Sequence, residues 1–263
     1  MAYEGKRADL PASAAVRTAV LIGGSGDVGR AIAAELGRER PTRMLLVYRE
    51  DDAAAADALA GASAAPGSRV LRADVTTPAG RSAVAGAAAL DLAAGVDLLV
   101  YSAVYRRLFP ALEMPLDEWR RSLEVNVIGF IAAIQELAPL LPRGGQVLAV
   151  SGISGVRVHS EAVHLLMGAA KAALHHAVAY LALALAERGV SVNCIALGSI
   201  WSQGAREHSP EELQRFMHDM VAAHPKRRLP TVEELAPVAA FFCSPAAEWI
   251  NGQVVVVDGG QTL

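Results

Sequence analysis

Four glycines, Gly23, Gly24, Gly26 and Gly29, stand between an apolar run at 16–22 and helically spaced apolar residues at 28–36. A strand passing through such a turn into a helix lets backbone N–H groups come close to a pyrophosphate, whose charge the helix N-terminus attracts. Ser25, Asp27 and Val28 share the turn, and a plain tight turn would use the same glycines. The next apolar run, 44–48, leads into Arg49 and Glu50. An acid at this strand tip bonds the ribose 2′-hydroxyl of NAD, whereas a nearby arginine holds the 2′-phosphate of NADP. Arg49 therefore points to NADP(H), with an ion pair to Asp51 or Asp52 as the plainer alternative. Asp74 and Val75 close a third run, 69–73, where a carboxylate meets an adenine amine or caps the following helix.

The elements that must position these residues alternate regularly. Strands are expected at 16–22, 44–48, 69–73, 96–101, 146–150, 190–195 and 253–257. Helices are expected at 28–36, 51–59, 78–93, 115–137, through Lys171, and at 210–223 and 232–243. The alternation predicts a single-domain, Rossmann-type α/β fold with a doubly wound parallel sheet of about seven strands. It spans 17–263, after a flexible N-terminal tail at 1–16 that lacks the apolar core of a signal peptide.

The chain has 263 residues, of which 53% are hydrophobic, enough for a substantial core. Its net charge of −3 comes with no basic block, so no nucleic-acid partner is expected. No apolar run approaches the roughly 18 residues of a membrane span, so no membrane partner is expected either. Cys194 and Cys243 lie in apolar surroundings and read as buried free thiols of a cytoplasmic protein. No metal site is expected.

GGSGDVGRAIA at 23–33, ADV at 73–75, LEVNVIGF at 123–130, VSVNCIALGSI at 190–200 and INGQVVVVDGG at 250–260 together resemble the short-chain dehydrogenase/reductase family over 17–263. The resemblance implies a nicotinamide cofactor, here NADPH/NADP+, and a homodimer or homotetramer formed through two long helices. Ser102, Ala103, Gly198, Ile200 and Ser202 fall at further cofactor positions. There are departures. Ile22 replaces the family's threonine and Asp27 its middle glycine. Tyr101-Ser102-Ala103-Val104 replaces Asn-Asn-Ala-Gly, and Leu197-Gly198 replaces Pro-Gly.

The resemblance also assigns the chemistry. The family uses a tyrosine as proton donor, a lysine four residues later that binds the nicotinamide ribose, a serine on the carbonyl, and an asparagine in a proton relay. Asn126 and Lys171 match the last of these and the lysine, but Met167 stands at the tyrosine position. Counting back from Gly155 puts Gly152 at the serine position, with Ser151 and Ser154 beside it. A thioether has no proton to give. General acid catalysis contributes about 10²–10⁴-fold, or roughly 3–5 kcal/mol. Holding hydride donor and ketone in register contributes about 7–11 kcal/mol. Losing the tyrosine thus removes the smaller contribution.

Two classes of function remain at this point. One is a ketoreductase for a ketone of an aromatic polyketide, resembling angucyclinone-type ketoreductases, whose substrate supplies the proton from a neighbouring phenol. In its variant form the protein supplies the proton, through His164, His159, Ser151, Ser154 or Tyr105. The other is a non-catalytic NADP(H)-binding regulator or inactive subunit. Residues 203–225 fall where the family carries a substrate lid, with Phe216 and Met220 on its apolar face. Tyr105, Phe109, Trp201 and Met167 are expected to line the same cleft around a polycyclic ketone.

Overall fold

A computed structural model describes residues 16–158, 162–201, 218, 220–222 and 224–263. The strands are β1 (Arg17–Ile22), β2 (Thr42–Tyr48), β3 (Arg69–Arg72), β4 (Leu98–Tyr101), β5 (Gln146–Gly152), β6 (Ser191–Leu197) and β7 (Val254–Val257). They form one parallel sheet in the order β3-β2-β1-β4-β5-β6-β7. The order reverses between β1 and β4, which opens a crevice at the carboxyl ends of the strands, the usual ligand position in such sheets.

The central strands are apolar without alternation because both faces are covered. Val20, Ile22, Leu99, Tyr101, Val147 and Ala149 pack on one side, with Val84, Phe130, Ile134, Leu174 and Val178. Those last five belong to α3 (Pro78–Asp91), α5 (Gly129–Leu137) and α6 (Leu165–Ala186). Ala19, Leu21, Leu98, Val100, Leu148 and Val150 pack on the other side, with Ile32, Leu36, Ala58, Ala239 and Phe242. These come from α1 (Asp27–Glu39), α2 (Asp52–Gly61) and α7 (Val232–Phe242 in chain order).

The helix expected at 115–137 is interrupted. It consists of α4 (Leu116–Leu123), a π turn at Glu124–Ile128, and α5. A π turn inserts one residue into the helical ladder and leaves carbonyls to be satisfied from outside. Tyr101 does this from the tip of β4, donating its hydroxyl to the Val125 carbonyl at 2.6 Å. The hydroxyl fits because residue 129 is glycine; a Cβ there would meet it at 2.5 Å. Gly129→Ala is therefore expected to cost about 1–3 kcal/mol in urea unfolding, the range of an overpacked core. Adding Tyr101→Phe, which removes the obstructing oxygen, should recover part of that loss.

The expectation that no stretch is long and apolar enough to span a membrane is corrected. Leu116–Leu140 and Ala162–Ala186 both meet that length and composition. Their apolarity has a local cause. Each buries one face on the sheet, through Phe130, Ile134 and Leu137 or through Leu174, Val178 and Leu185. Each also carries apolar residues outward, among them Leu116, Ile128, Leu165 and Leu183.

Candidate functional site

At the end of β1 the backbone turns through Gly23 at φ +83°, and the N–H groups of Gly23 and Gly24 donate to the Val47 carbonyl at 2.9 and 3.1 Å. The turn is too close to its neighbours for side chains. A Cβ on Gly23 would meet the Ala103 nitrogen at 2.5 Å, and one on Gly29 the Gly23 oxygen at 2.2 Å. Ser102 ties the turn to β4, donating to the Ile22 and Gly23 carbonyls at 3.1 Å. Gly26 is the N-cap of α1 and brings no capping side chain. Asp27 therefore does not cap; its carboxylate pairs with Arg30 at 3.0 Å, which offsets the charge it would otherwise turn on a phosphate. A bare cradle of amides at a helix N-terminus fits a pyrophosphate. Val28 and Ile200 pack with Ala31, Val232 and Ala236 beside it.

Arg49 pairs with Glu50, Nε to Oε1 at 2.7 Å, and not with Asp51 or Asp52 as the plainer alternative had it. Asp51 instead caps α2, accepting from the Ala54 N–H at 2.8 Å. The alternative of Asp74 as a helix cap is also corrected, since Thr77 caps α3 by accepting from Gly80 at 3.0 Å. The Asp74 carboxylate accepts from the Thr76 N–H at 2.9 Å and its hydroxyl at 2.6 Å. Burial alone would raise the Asp74 pKa, but the Thr76 hydrogen bonds, with Arg49 and Arg121 nearby, hold it below its ordinary value. Val75 is buried beneath it.

The chemistry-bearing residues meet where β5, β6, α6 and the π turn pack together. Asn126 is fully buried in the π turn, donating to the Tyr105 carbonyl at 2.9 Å and to Ser122 O and Oγ at 3.0 and 3.2 Å. Its Oδ1 is buried with no partner among the described residues, an acceptor left for a ligand or solvent. Lys171 is 3% exposed on α6, its Nζ 3.5 Å from the Val150 carbonyl. Burial pushes its pKa down to about 8, with the Cys194 thiol opposing. Met167 lies one turn earlier and is also buried. At Gly152 a Cβ would meet nothing nearer than the Leu197 oxygen at 3.7 Å and Ser154 Oγ at 3.8 Å, so the position has room for a side chain.

Sequence reasoning missed His175. Its Nε2 lies 2.7 Å from Ser151 Oγ, which places Ser151 in a serine–histidine pair. Burial, followed by the charge of Lys171, pushes the His175 pKa down to about 4, with a backbone hydrogen bond at Gly155 opposing. The available signal was spacing: His175 is one turn beyond Lys171, on the same helix face.

The expected substrate wall is partly placed. The Tyr105 hydroxyl donates to Glu118, and Arg121 lies over its ring at 4.9 Å, so Tyr105 is committed to α4. Phe109 is half-buried, and half-buried His164 is the N-cap of α6. Trp201 bridges to Thr231. Met220 Sδ lies 4.0 Å from Ser199 Oγ at the end of β6. Gly198 has no space for a Cβ, which would meet Asp258 at 2.7 Å. His159, Ser202 and Phe216, with most of the expected lid, lie outside the described residues.

The family model described as enoyl-(acyl carrier protein) reductase matches residues 25–262. The 7alpha-hydroxysteroid dehydrogenase of Escherichia coli is 32% identical over 191 residues, 72% of each chain. The rhamnolipids biosynthesis 3-oxoacyl-[acyl-carrier-protein] reductase of Pseudomonas aeruginosa is 31% identical over 254 residues, 94% of this chain and 97% of that one. Among solved structures, a short-chain dehydrogenase from Burkholderia cenocepacia in complex with NADP superposes with a TM-score of 0.83 at 26% identity, covering 94% of this chain and 98% of that one.

Proposed function

The chain belongs to the short-chain dehydrogenase/reductase family, and on that premise we propose that it is an NADPH-dependent ketoreductase whose substrate, a ketone on an aromatic polyketide-like polycycle, supplies its own proton. The observation that carries this reading is the buried Lys171 on α6, one helical turn from a buried Met167 that has no proton to donate.

The glycine turn and Arg49 would hold the phosphates, and Lys171 with Asn126 the nicotinamide ribose. When bound, the nicotinamide supplies a hydride. The Lys171 ammonium, in a water-poor site, stabilises negative charge as the carbonyl oxygen becomes alkoxide. The substrate's neighbouring phenol then passes its proton to that oxygen and keeps the charge as phenolate, the better resting anion. Met167 and Gly152 leave an apolar floor that suits a flat aromatic ring system and keeps water from the reacting carbon. The outward apolar residues of α4 to α6 support a homodimer or homotetramer, and the unpaired, buried Cys194 and Cys243 support a reducing, cytoplasmic location.

The test compares a peri-hydroxylated polycyclic ketone with its O-methyl ether. The ether is expected to react about 10²-fold more slowly or worse. Equal rates would rule out the substrate as proton source. Tight NADPH binding without oxidation across a panel of such ketones would favour the nucleotide-binding protein instead.

A further inference from the structure

The turn after β7 grips the exit of β6 through one side chain. Gln261 accepts from the Ser199 N–H at Oε1 and donates from Nε2 to Ser199 Oγ, both at 2.8 Å. The Ser199 hydroxyl in turn donates toward Met220 Sδ. The backbone that carries Gln261 is itself fixed. The Asp258 carboxylate accepts from the Gly260 and Thr262 N–H groups at 2.9 and 2.8 Å. His224 Nδ1 accepts from the Lys226 N–H at 3.1 Å, so Nε2 carries the ring hydrogen and donates to the Asp258 carbonyl at 3.0 Å. Arg157, from the loop after β5, donates to the Thr262 carbonyl. Packing brings turn and exit close enough for the grip: a Cβ on Gly198 would meet Asp258 Cβ at 2.7 Å and Gln261 Oε1 at 2.8 Å.

The exit of β6 stands at the carboxyl ends of the strands, where the crevice opens. Its N–H groups are committed within the protein: Gly198 to the Val257 carbonyl at 3.1 Å, Ser199 to Gln261, and Trp201 to the Pro230 carbonyl at 3.0 Å. Ile200 packs, with Val28 of α1, against Ala31, Val232 and Ala236, which sets the exit beside the glycine turn. On the ketoreductase reading Arg49, beyond the tip of β2, takes the adenosine end of the cofactor, and the pyrophosphate lies at the turn after β1. β2 flanks β1 on one side and β4, β5 and β6 follow on the other, so the nicotinamide end runs toward β6.

Resting on that reading, we propose that Gln261 is a positioning residue for the nicotinamide half of NADPH, acting through Ser199. Its two hydrogen bonds hold the β6 exit at one setting, and the exit is the wall against which the nicotinamide is held. Hydride transfer needs its reacting atoms about 3–3.5 Å apart, so a small shift of that wall costs rate steeply. The adenosine half rests on other elements, β2 and the glycine turn, and does not depend on Gln261.

The two halves of the cofactor separate positioning from general stability. Adenosine 2′,5′-bisphosphate carries the adenosine and the 2′-phosphate and lacks the nicotinamide. Gln261→Met keeps the length of the side chain and loses both hydrogen bonds. Its NADPH affinity is expected to fall about tenfold, while titration calorimetry should show the bisphosphate binding as it does to wild type. With the peri-hydroxy ketone, kcat should fall about tenfold or more. The isotope effect with NADPH deuterated at the transferred hydrogen should grow, because hydride transfer comes to limit the rate. Ser199→Ala keeps the N–H bond to Gln261 and loses the other, so the same split should appear at about threefold, whether or not Gln261→Met folds. The double variant should be no worse than Gln261→Met alone, since both act through one pair. Equal losses for NADPH and the bisphosphate, or an NADPH affinity, kcat and isotope effect all close to wild type, overturn the proposal. If wild type oxidises no NADPH with any ketone while the variants still lose NADPH and keep the bisphosphate, the ketoreductase reading fails and the positioning of the nicotinamide stands.

Discussion

Lys171→Met is expected to cut NADPH oxidation by about 10³-fold, the scale of losing a catalytic acid–base group, and at the same time to stabilise the fold. Among the described residues the buried ammonium has one long hydrogen bond, to Val150 at 3.5 Å, and its pKa falls from 10.5 to about 8. Below pH 8 the lysine is protonated in both folded and unfolded chains, and the fold bears the whole cost of burying the charge. Between pH 8 and 10.5 the unfolded chain binds the proton and the folded chain does not, so stability rises with pH in that window. The drop corresponds to about 3 kcal/mol. Methionine of similar length has no charge to bury. The variant's advantage in chemical denaturation should therefore be largest at neutral pH and shrink by about that amount toward pH 10.5. An advantage independent of pH would mean that Lys171 is not desolvated as described.

Arg49→Ala is expected to weaken NADPH binding roughly ten- to a hundredfold, the value of one charge-assisted hydrogen-bonded contact. NADH binding should stay nearly unchanged. The difference lies in the 2′-phosphate, so the loss should also fade as salt is added, because Arg49 is 40% exposed. Glu50 complicates the site usefully. Its carboxylate holds the Arg49 Nε at 2.7 Å and competes with a phosphate for the same guanidinium. Glu50→Gln should accordingly tighten NADPH several-fold, opposite in sign to Arg49→Ala. Fluorescence titration with both cofactors reads each result, and equal losses for NADPH and NADH in Arg49→Ala would assign Arg49 to the turn rather than to the phosphate.

Much of the fold was legible because its signals are local. Continuous apolar strands such as β4 mark a sheet covered on both faces, and the glycines at 23–29 mark the first turn before any contact is known. Lys171 and Asn126 were singled out through motif spacing, and both side chains are buried, one on α6 and the other in the π turn. What escaped depends on docking. His175 looks like one more residue in an alanine-rich helix until α6 is laid on β5 and the ring meets Ser151. The π turn at Glu124–Ile128 adds a single residue to a helical spacing, too little to read in an apolar stretch. The cap of α3 is Thr77 and not Asp74 because the Thr76 N–H and hydroxyl take up the Asp74 carboxylate.

The contact between Tyr101 and Gly129 bears on the order in which this sequence can change. With the tyrosine in place, residue 129 cannot gain even a methyl group without displacing the hydroxyl that satisfies Val125. Once a smaller residue stands at 101, the closest obstruction is gone and the Glu124 carbonyl, 3.1 Å from a Cβ at 129, is the next one. The two positions therefore accept substitutions in one order and resist them in the other. A mutational library scanned from the present chain should record Gly129 as nearly immutable, and the same library built on Tyr101→Phe should not.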